Sequence, residues 1–386
     1  MRLLMLNYNK AFVGGGSFFR SLHLGRHLAR RGHRVTIMAS SPNAVIRFRR
    51  REVDGVELLE APGLIPPRWR YGYDFYEVFR RLHWLSKQHF DIVHALECRP
   101  VVIYPALAAQ RHGAKLVIDW YDWFGRGGSV EQRSNVLMRT LLRPVETYYE
   151  EAFRHRANAT IVVNAALEAR ARALGVSPAT ILRLPHGADP DHLRPLDRGI
   201  AREVLGLPLD VPILGYVGAL FPADAVLLAE AFTRVRAVRP ETLLILVGKP
   251  QIDLGLREGV IRTGFISYSA FNHYLAACDV MCLPFSNTLA NQGRFPSKIA
   301  DYFAVGRPTV AAAIGEVRML LQETDAGLVA DPTPESFAEQ ILTLLDAPVL
   351  GIRLGKNARC AAETHLSWAT LAERVESLYL RLLATT

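Results

Sequence analysis

The chain has 386 residues, 50% of them apolar, with a formal charge of +9; that length exceeds what one hydrophobic core usually supports, so two domains are expected. Its four cysteines, Cys98, Cys278, Cys282 and Cys360, form no CxxC pair and no Cys/His set at metal-site spacing, which excludes a disulfide scaffold or a zinc site and reads as four buried thiols in a reducing cytoplasm. No segment reaches the roughly 20 continuous apolar residues of a bilayer span.

The opening Met1-Arg2-Leu3-Leu4-Met5-Leu6-Asn7 is too short an apolar run for a signal peptide and reads as a first buried strand. Ser17 to Arg31 follows with apolar residues at helical spacing and Gly32 as its cap. Strand-like runs then recur at Arg34–Met38, Val56–Glu60, Ile92–Ala95, Lys115–Asp119 and Thr160–Val163, separated by longer helical stretches, which implies a parallel sheet covered by helices. The pattern restarts after residue 211, with strands expected at Ile213–Val217, Leu243–Val247, Val260–Ile261, Val280–Leu283, Thr309–Ala313 and Gly327–Val329. Between the halves, the stretch from Leu184 to Pro195 is dense in Pro, Gly and Asp and suits a hinge. A last helix is expected from about Trp368 to Leu383.

Charge is unevenly spread. Residues 1–190 hold 28 Lys/Arg against 16 Asp/Glu, a net +12, whereas residues 191–386 hold 18 against 21, a net −3. The first 50 residues contain ten basic side chains and no acidic one, and the run Arg47-Phe48-Arg49-Arg50-Arg51 begins there. Either this is a solvated basic face, or it draws the N-terminal half to an anionic membrane or a phosphorylated acceptor.

In open parallel sheets ligands bind beyond the carboxyl ends of the strands, so two such domains facing each other would form a cleft between them. Two segments fall at such ends and carry chemistry. Gly14-Gly15-Gly16 lies between the first strand and first helix, where missing side chains let backbone N–H groups approach an anion, although a merely tight turn would use the same residues. From Asn291 to Pro308, a polar loop containing Asn291, Gln292, Gly293 and Arg294 runs into a helix starting near Ser297, after Pro296, and stopped by Gly306 and Pro308. Lys298 and Asp301, three apart, share a face of that helix. The pair is either a surface ion pair or part of a site in which Arg294, Lys298 and the helix N-terminus hold a diphosphate and Asp301 accepts sugar hydroxyls.

These residues resemble those of the family-4 retaining glycosyltransferases, along nearly the whole chain. The resemblance rests on Gly14-Gly15-Gly16, on Leu184-Pro185-His186-Gly187-Ala188-Asp189, on Tyr216-Val217-Gly218 at a strand end, and on Pro296-Ser297-Lys298 through Gly306-Arg307-Pro308. It implies an α/β protein of two doubly wound Rossmann-like domains (GT-B): residues 1–190 on the acceptor side, 191–367 binding the nucleotide sugar, and 368–386 a closing helix. It further implies sugar transfer from a nucleotide-diphosphate donor with retention, with no metal or other cofactor. The acceptor would be a carbohydrate or lipid-linked molecule of cell-envelope polysaccharide synthesis, and the protein cytoplasmic, peripheral at the inner membrane face, with no nucleic-acid partner.

Three departures stand out. The family's paired carboxylates fall on Gly293 and Asp301, leaving Asn291 or Gln292 to replace the first. Its Arg and Lys after Gly218 give way to Ala219-Leu220-Phe221-Pro222-Ala223, so phosphate binding would rest on Arg294, Lys298 and Lys249. Its His-Asp becomes Tyr121-Asp122, which puts Tyr121, Asp122 and Asp301 in the expected catalytic positions. A catalytically idle nucleotide-sugar binder and a nucleotide-sugar epimerase are the alternative readings.

Overall fold

Short β-branched and Leu-rich runs alternating with longer amphipathic ones give the chain its βα rhythm, and in the computed structural model each run folds where its pattern places it. Residues 1–13, 16–43, 45–133, 135–248 and 254–385 are described; Gly14, Gly15 and Lys249 lie outside them. The chain divides into two units, Met1–Pro185 together with Trp368–Thr386, and His186–Ser367.

Unit 1 runs β1 (Arg2–Lys10), α1 (Gly16–Arg30), β2 (Arg34–Ser40), β3 (Arg49–Val53), β4 (Val56–Ala61), α2 (Phe75–Leu85), β5 (Ile92–Leu96), α3 (Pro100–Arg111), β6 (Lys115–Trp120), α4 (Val136–Glu151), β7 (Ala159–Val162), α5 (Ala165–Ala173) and β8 (Ile181–Arg183). Among the described residues these strands form one sheet in the order β3-β4-β2-β1-β5-β6-β7-β8, parallel except for β3 against β4. Both faces of the central strands are covered, so these strands are largely apolar rather than alternating: Leu3 and Met5 of β1 pack into the core on one face, Leu4 and Leu6 into the core on the other.

Unit 2 runs α6 (Arg198–Leu205), β9 (Ile213–Val217), α7 (Pro222–Val238), β10 (Leu243–Val247), β11 (Val260–Gly264), α8 (Tyr268–Ala276), β12 (Val280–Leu283), α9 (Leu289–Gln292), α10 (Ser297–Ala304), β13 (Thr309–Ala312), α11 (Glu316–Thr324), β14 (Gly327–Ala330), α12 (Pro334–Asp346) and α13 (Pro348–Thr364). Its described strands form a parallel sheet in the order β11-β10-β9-β12-β13-β14. The order reverses at β9/β12, the position where open α/β sheets hold their ligands.

The last helix, α14 (Trp368–Ala384), belongs to unit 1. Trp368, Leu371, Val375 and Tyr379 complete the core that α1 begins. Beneath them is a buried polar cluster: Arg20 Nε donates to Asp119 Oδ2 at 2.7 Å and its other nitrogens to the carbonyls of Leu184 and Pro185. His94 Nδ1 meets the Tyr379 hydroxyl at 2.6 Å. Burial alone would raise the Asp119 pKa, but Arg20 and His94 together hold it below the usual range. A buried charge retained in this way needs its partners, and here the partners come from α1, β5 and the segment after β8.

The Arg49-Arg50-Arg51 run forms edge strand β3 and is exposed to solvent, with Arg50 paired to Glu57 at 2.5 Å and Arg51 to buried Glu60. Charged side chains suit an edge because they discourage pairing with another chain. The expectation of four buried thiols is corrected: Cys360 is exposed, on the outer side of α13, while Cys98, Cys278 and Cys282 are buried.

Candidate functional site

At the C-terminal end of the unit 2 sheet the strands finish without side chains. Gly218 follows β9 with φ +85° and Gly248 follows β10 with φ +97°, a conformation that L-residues rarely adopt. A Cβ on Gly248 would stand 3.6 Å from the Gly218 Cα, and one on Gly218 would stand 4.0 Å from Lys298 Nζ. The Gly218 amide donates to Val247 O at 2.8 Å and ties the two ends together. Bare backbone therefore lies next to an ammonium group.

α10 supplies that ammonium. It begins at Ser297 with Pro296 at its N-cap, and no side chain caps it, so its first-turn N–H groups keep the partial positive charge of a helix start. Lys298 Nζ donates to the Tyr216 hydroxyl, which donates in turn to Ala219 O at 2.7 Å, and the ammonium lies 4.0 Å from the Tyr216 ring centroid. The Arg294 guanidinium stacks on Phe221 at 4.7 Å. Burial pulls the Lys298 pKa down to about 7; Asp224 opposes the shift, Arg294 adds to it, and Asp301 opposes it. Asp301, one turn further on, is pushed up to about 7 by burial and by the charge of Asp189, against the pull of Lys298. Both side chains are half-buried.

The loop before α10 is fixed from below by Asp224, in the first turn of α7. Its Oδ1 accepts from Ser286 N at 2.8 Å, Ser286 Oγ at 2.6 Å and Asn291 Nδ2 at 3.1 Å. Asn291 is 1% exposed, and its amide is turned into this network rather than outward, with Oδ1 buried and unpartnered. Gln292 bonds Asn287 at 2.8 Å. Gly315, with φ +56°, packs on the Gln292 backbone, where a Cβ would meet the carbonyl oxygen at 3.2 Å. The structure thus brings Gly218, Lys298, Arg294 and Asp301 together and gives Asn291 and Gln292 local partners. Asp224 was not anticipated: its partners lie more than 60 positions away, and only its place just after Pro222 at a helix start marks it.

In unit 1 the ends of β1, β5 and β6 carry a second group. Gly16 opens α1, with open space around its Cα. The Tyr121 hydroxyl donates to Tyr8 at 3.1 Å and its amide to Glu97 Oε1 at 3.2 Å; Asp122 accepts from Trp123 N at 2.9 Å. Glu97, unmarked in the sequence except by its place after a strand, has φ +76° and is 2% exposed. A non-glycine residue held there signals stored strain. Arg154 donates to its Oε2 at 2.9 Å; even so, burial pushes the Glu97 pKa up to about 8, with Arg154 opposing and Glu150 adding to the rise. Arg99 lies over Tyr8 at 4.3 Å and Phe124 at 5.2 Å, anchored to Glu146 at 2.9 Å.

Elsewhere, a cavity of about 590 Å³ opens near Asp279, Arg307 and Pro348, at the opposite ends of β12 and β13, away from Lys298. Among the described residues no cluster of His, Cys, Asp and Glu could hold a metal ion, and no helix is long and apolar enough to cross a membrane.

Two doubly wound α/β units, the second with cations and a helix start at its topological switch point, define a protein of the GT-B glycosyltransferase class. A family model described as Glycosyltransferase Family 4 matches residues 14–192 and one described as Glycosyl transferases group 1 matches residues 211–347. The chain belongs to this glycosyltransferase family. It is 24% identical to the D-inositol 3-phosphate glycosyltransferase of a Nocardioides species, over 95% of this chain and 85% of that protein. With D-inositol 3-phosphate glycosyltransferase 2 of Catenulispora acidiphila it shares 28% identity over 54% of this chain and 52% of the relative, so there it spans about half the relative's length. Among solved structures, sucrose-phosphate synthase of Thermosynechococcus elongatus superposes with a TM-score of 0.78 at 19% identity, covering 100% of both chains. Anabaena HepE in complex with UDP and glucose gives 0.70 at 17% identity over 98% of each. At these identities the likeness is one of fold.

Proposed function

We propose that the protein transfers a sugar, with retention, from a nucleoside-diphosphate sugar bound by unit 2 to a carbohydrate or lipid-linked acceptor bound by unit 1, at the cytoplasmic face of an anionic membrane, as a step in cell-envelope polysaccharide synthesis. The observation that carries this reading is the side-chain-free backbone at Gly218 and Gly248 beside Lys298, Arg294 and the start of α10. Bond cleavage at the anomeric carbon loads negative charge onto the departing diphosphate. Fixed cations and N–H dipoles aimed at that charge supply most of the catalysis in such reactions, and removing a single donor of this kind typically costs on the order of 10²–10³ in rate. Asp301 would accept hydroxyls of the sugar. Tyr121 and Asp122 are proposed for the acceptor side, and Gly16 for close approach of the donor. No metal is required, because the cations are the protein's own.

The catalytically idle alternative draws on Gly293 at the position of the first family carboxylate. One experiment decides between them. Purified protein is incubated with UDP- and ADP-sugars, since UDP and ADP are the nucleotides seen in HepE and in an Arabidopsis starch synthase of the same fold. Nucleoside diphosphate release and donor-induced thermal shift are then measured. A donor at 100 times its Kd adds about 2.7 kcal/mol of stability. Thermal shift without release would favour the idle binder, and neither signal with any donor would remove the transferase reading. The anomeric configuration of the product, read by NMR, tests retention.

A further inference from the structure

The apolar and charged faces of α4 are the reverse of those of an ordinary surface helix. Glu146 and Glu150, each 3% exposed, point into unit 1. There they accept hydrogen bonds from Arg99, Arg133, Trp120 and the backbone of Phe124 and Gly125. Leu137, Leu141 and Tyr148, at 68%, 59% and 56% exposure, form a stripe at i, i+4 and i+11 that faces solvent, with Met138 and Val145 along its edge. A helix normally buries such a stripe against its own core. Here the core side is occupied by the ion-pair network, and the apolar side is left outward.

A second apolar surface adjoins the first. Leu64, Trp69, Phe75 and Phe79 are each about 60–70% exposed. The two surfaces are joined by the Arg133 guanidinium 5.9 Å from the Tyr71 ring and by edge-to-face packing of Tyr73 on Tyr149 at 5.8 Å. Exposed apolar side chains in two neighbouring segments mark a candidate interaction surface. Its charge indicates what covers it. Arg68 lies 4.4 Å over the Trp69 ring, and Arg126 is exposed beside α4. The nearby carboxylates are buried or paired: Asp74, Glu77, Glu146 and Glu150 are buried, Glu131 is paired with Arg143 at 2.5 Å, and the partly exposed Glu151 at the end of α4 is paired with Arg170 at 2.7 Å. Residues 1–190 carry a net +12. Exposed leucine and aromatic side chains interleaved with arginine, with carboxylates buried or paired, match the boundary between acyl chains and anionic headgroups.

We propose that unit 1 docks on an anionic lipid bilayer through this surface, with the Leu137/Leu141 stripe and Trp69 entering the headgroup boundary and Arg68 and Arg126 at the level of the lipid phosphates. This deepens the proposed function by naming the surface on which a lipid-linked acceptor is met. It rests on that reading for its biological sense and on α4 for its physical basis.

The test uses the full chain without donor or acceptor, sedimented with vesicles of phosphatidylcholine alone or mixed with phosphatidylglycerol. Wild type should bind the mixed vesicles, lose binding at high salt, and show a blue-shifted tryptophan emission that Trp69→Phe abolishes. Leu137→Ser/Leu141→Ser should weaken binding at least tenfold, and Arg68→Gln and Arg126→Gln about fivefold each, all with unchanged melting temperature because the four side chains are exposed. Equal binding to neutral and anionic vesicles, or undiminished binding by the leucine variant, overturns the proposal. So does a wild-type dimer that the leucine variant converts to monomer without any vesicle binding, since a second copy would then cover the face. Vesicle binding by a protein that takes up no nucleotide would count against the transferase reading alone.

Discussion

Lys298 and Asp301 stand one turn apart on α10, and burial drives their pKa values toward each other until both lie at about 7. Free of ligand, the pair therefore changes charge within the physiological window. A diphosphate favours the ammonium form of Lys298, so binding should draw a proton onto the protein. Affinity for a nucleoside diphosphate should fall by about tenfold or more between pH 7 and pH 9. Calorimetry in buffers of different ionisation enthalpy should show proton uptake. A flat pH profile would mean that Lys298 stays charged without the ligand.

Replacing Lys298 tests the site itself. Lys298→Ala should lose about 1.5–3 kcal/mol of nucleoside diphosphate binding, roughly ten- to a hundred-fold in affinity, the range of a charge-assisted hydrogen bond. It should also abolish the pH dependence just described. The free nucleoside, lacking phosphates, should bind both forms equally, and equal losses for the two ligands would place Lys298 away from the diphosphate.

Asp301→Asn separates the sugar contact from the fold. The raised pKa means that Asp301 contributes most to stability below about pH 4, where native and unfolded states are both protonated, and loses that contribution as pH rises through about 7. The amide carries no charge to desolvate and no repulsion with Asp189, so the variant should melt with wild type near pH 4, move above it as pH rises toward 7, and keep that lead at pH 8.5. Turnover should nevertheless fall at least tenfold. Unchanged kinetics would return Asp301 to the role of a structural ion-pair member.

The same sign applies to Glu97, whose pKa of about 8 keeps it largely protonated at pH 6. Glutamine is then a near-isostere, and Glu97→Gln should shift the melting temperature by only a few degrees at pH 6. Breaking a fully ionised buried pair with Arg154 would instead cost about 3–5 kcal/mol. From pH 6 to pH 9 wild type should lose stability and the variant should not. Thermal melts across that range would show it.

Much of this fold is legible in residue order because buried parallel strands leave a strong local signal. Ile213–Val217, Leu243–Val247 and Val280–Leu283 are strands at the expected residues, and α10 begins at Ser297 as Pro296 implies. β3 was hidden because a strand that pairs on one side can be built from arginines, and Arg-Arg-Arg-Glu-Val has no apolar alternation to give it away. The Asp224, Ser286 and Asn291 network was hidden for a different reason: hydrogen bonds across 62 to 67 positions leave no periodicity. The stripe on α4 has helical spacing, but spacing cannot tell which side faces out. That depends on Glu146 and Glu150 finding Arg99, Arg133 and Trp120 inside.

Gly218→Ala probes the bare backbone directly. At φ +85° a Cβ is strained and directed toward Lys298 Nζ, so stability should drop by about 1–3 kcal/mol, or about 2–10 °C in melting temperature. Nucleoside diphosphate affinity should drop with it. A variant that melts lower but binds normally would show that the ligand does not approach Gly218.

The placement of α14 also sets an order of events during synthesis. Unit 2 is an insertion whose ends meet, Ala188 N donating to Leu366 O at 2.6 Å beside the Ala188–Ser367 bridge, so it has all its parts once Ser367 leaves the ribosome. Unit 1 does not. Leu3, Leu24, Leu28 and Val35 share a core with Trp368, Leu371, Val375 and Tyr379, and His94 waits for the Tyr379 hydroxyl. The first-made domain is thus the last to close, and for most of translation its sheet presents an open apolar slot of the kind that chaperones shield from aggregation.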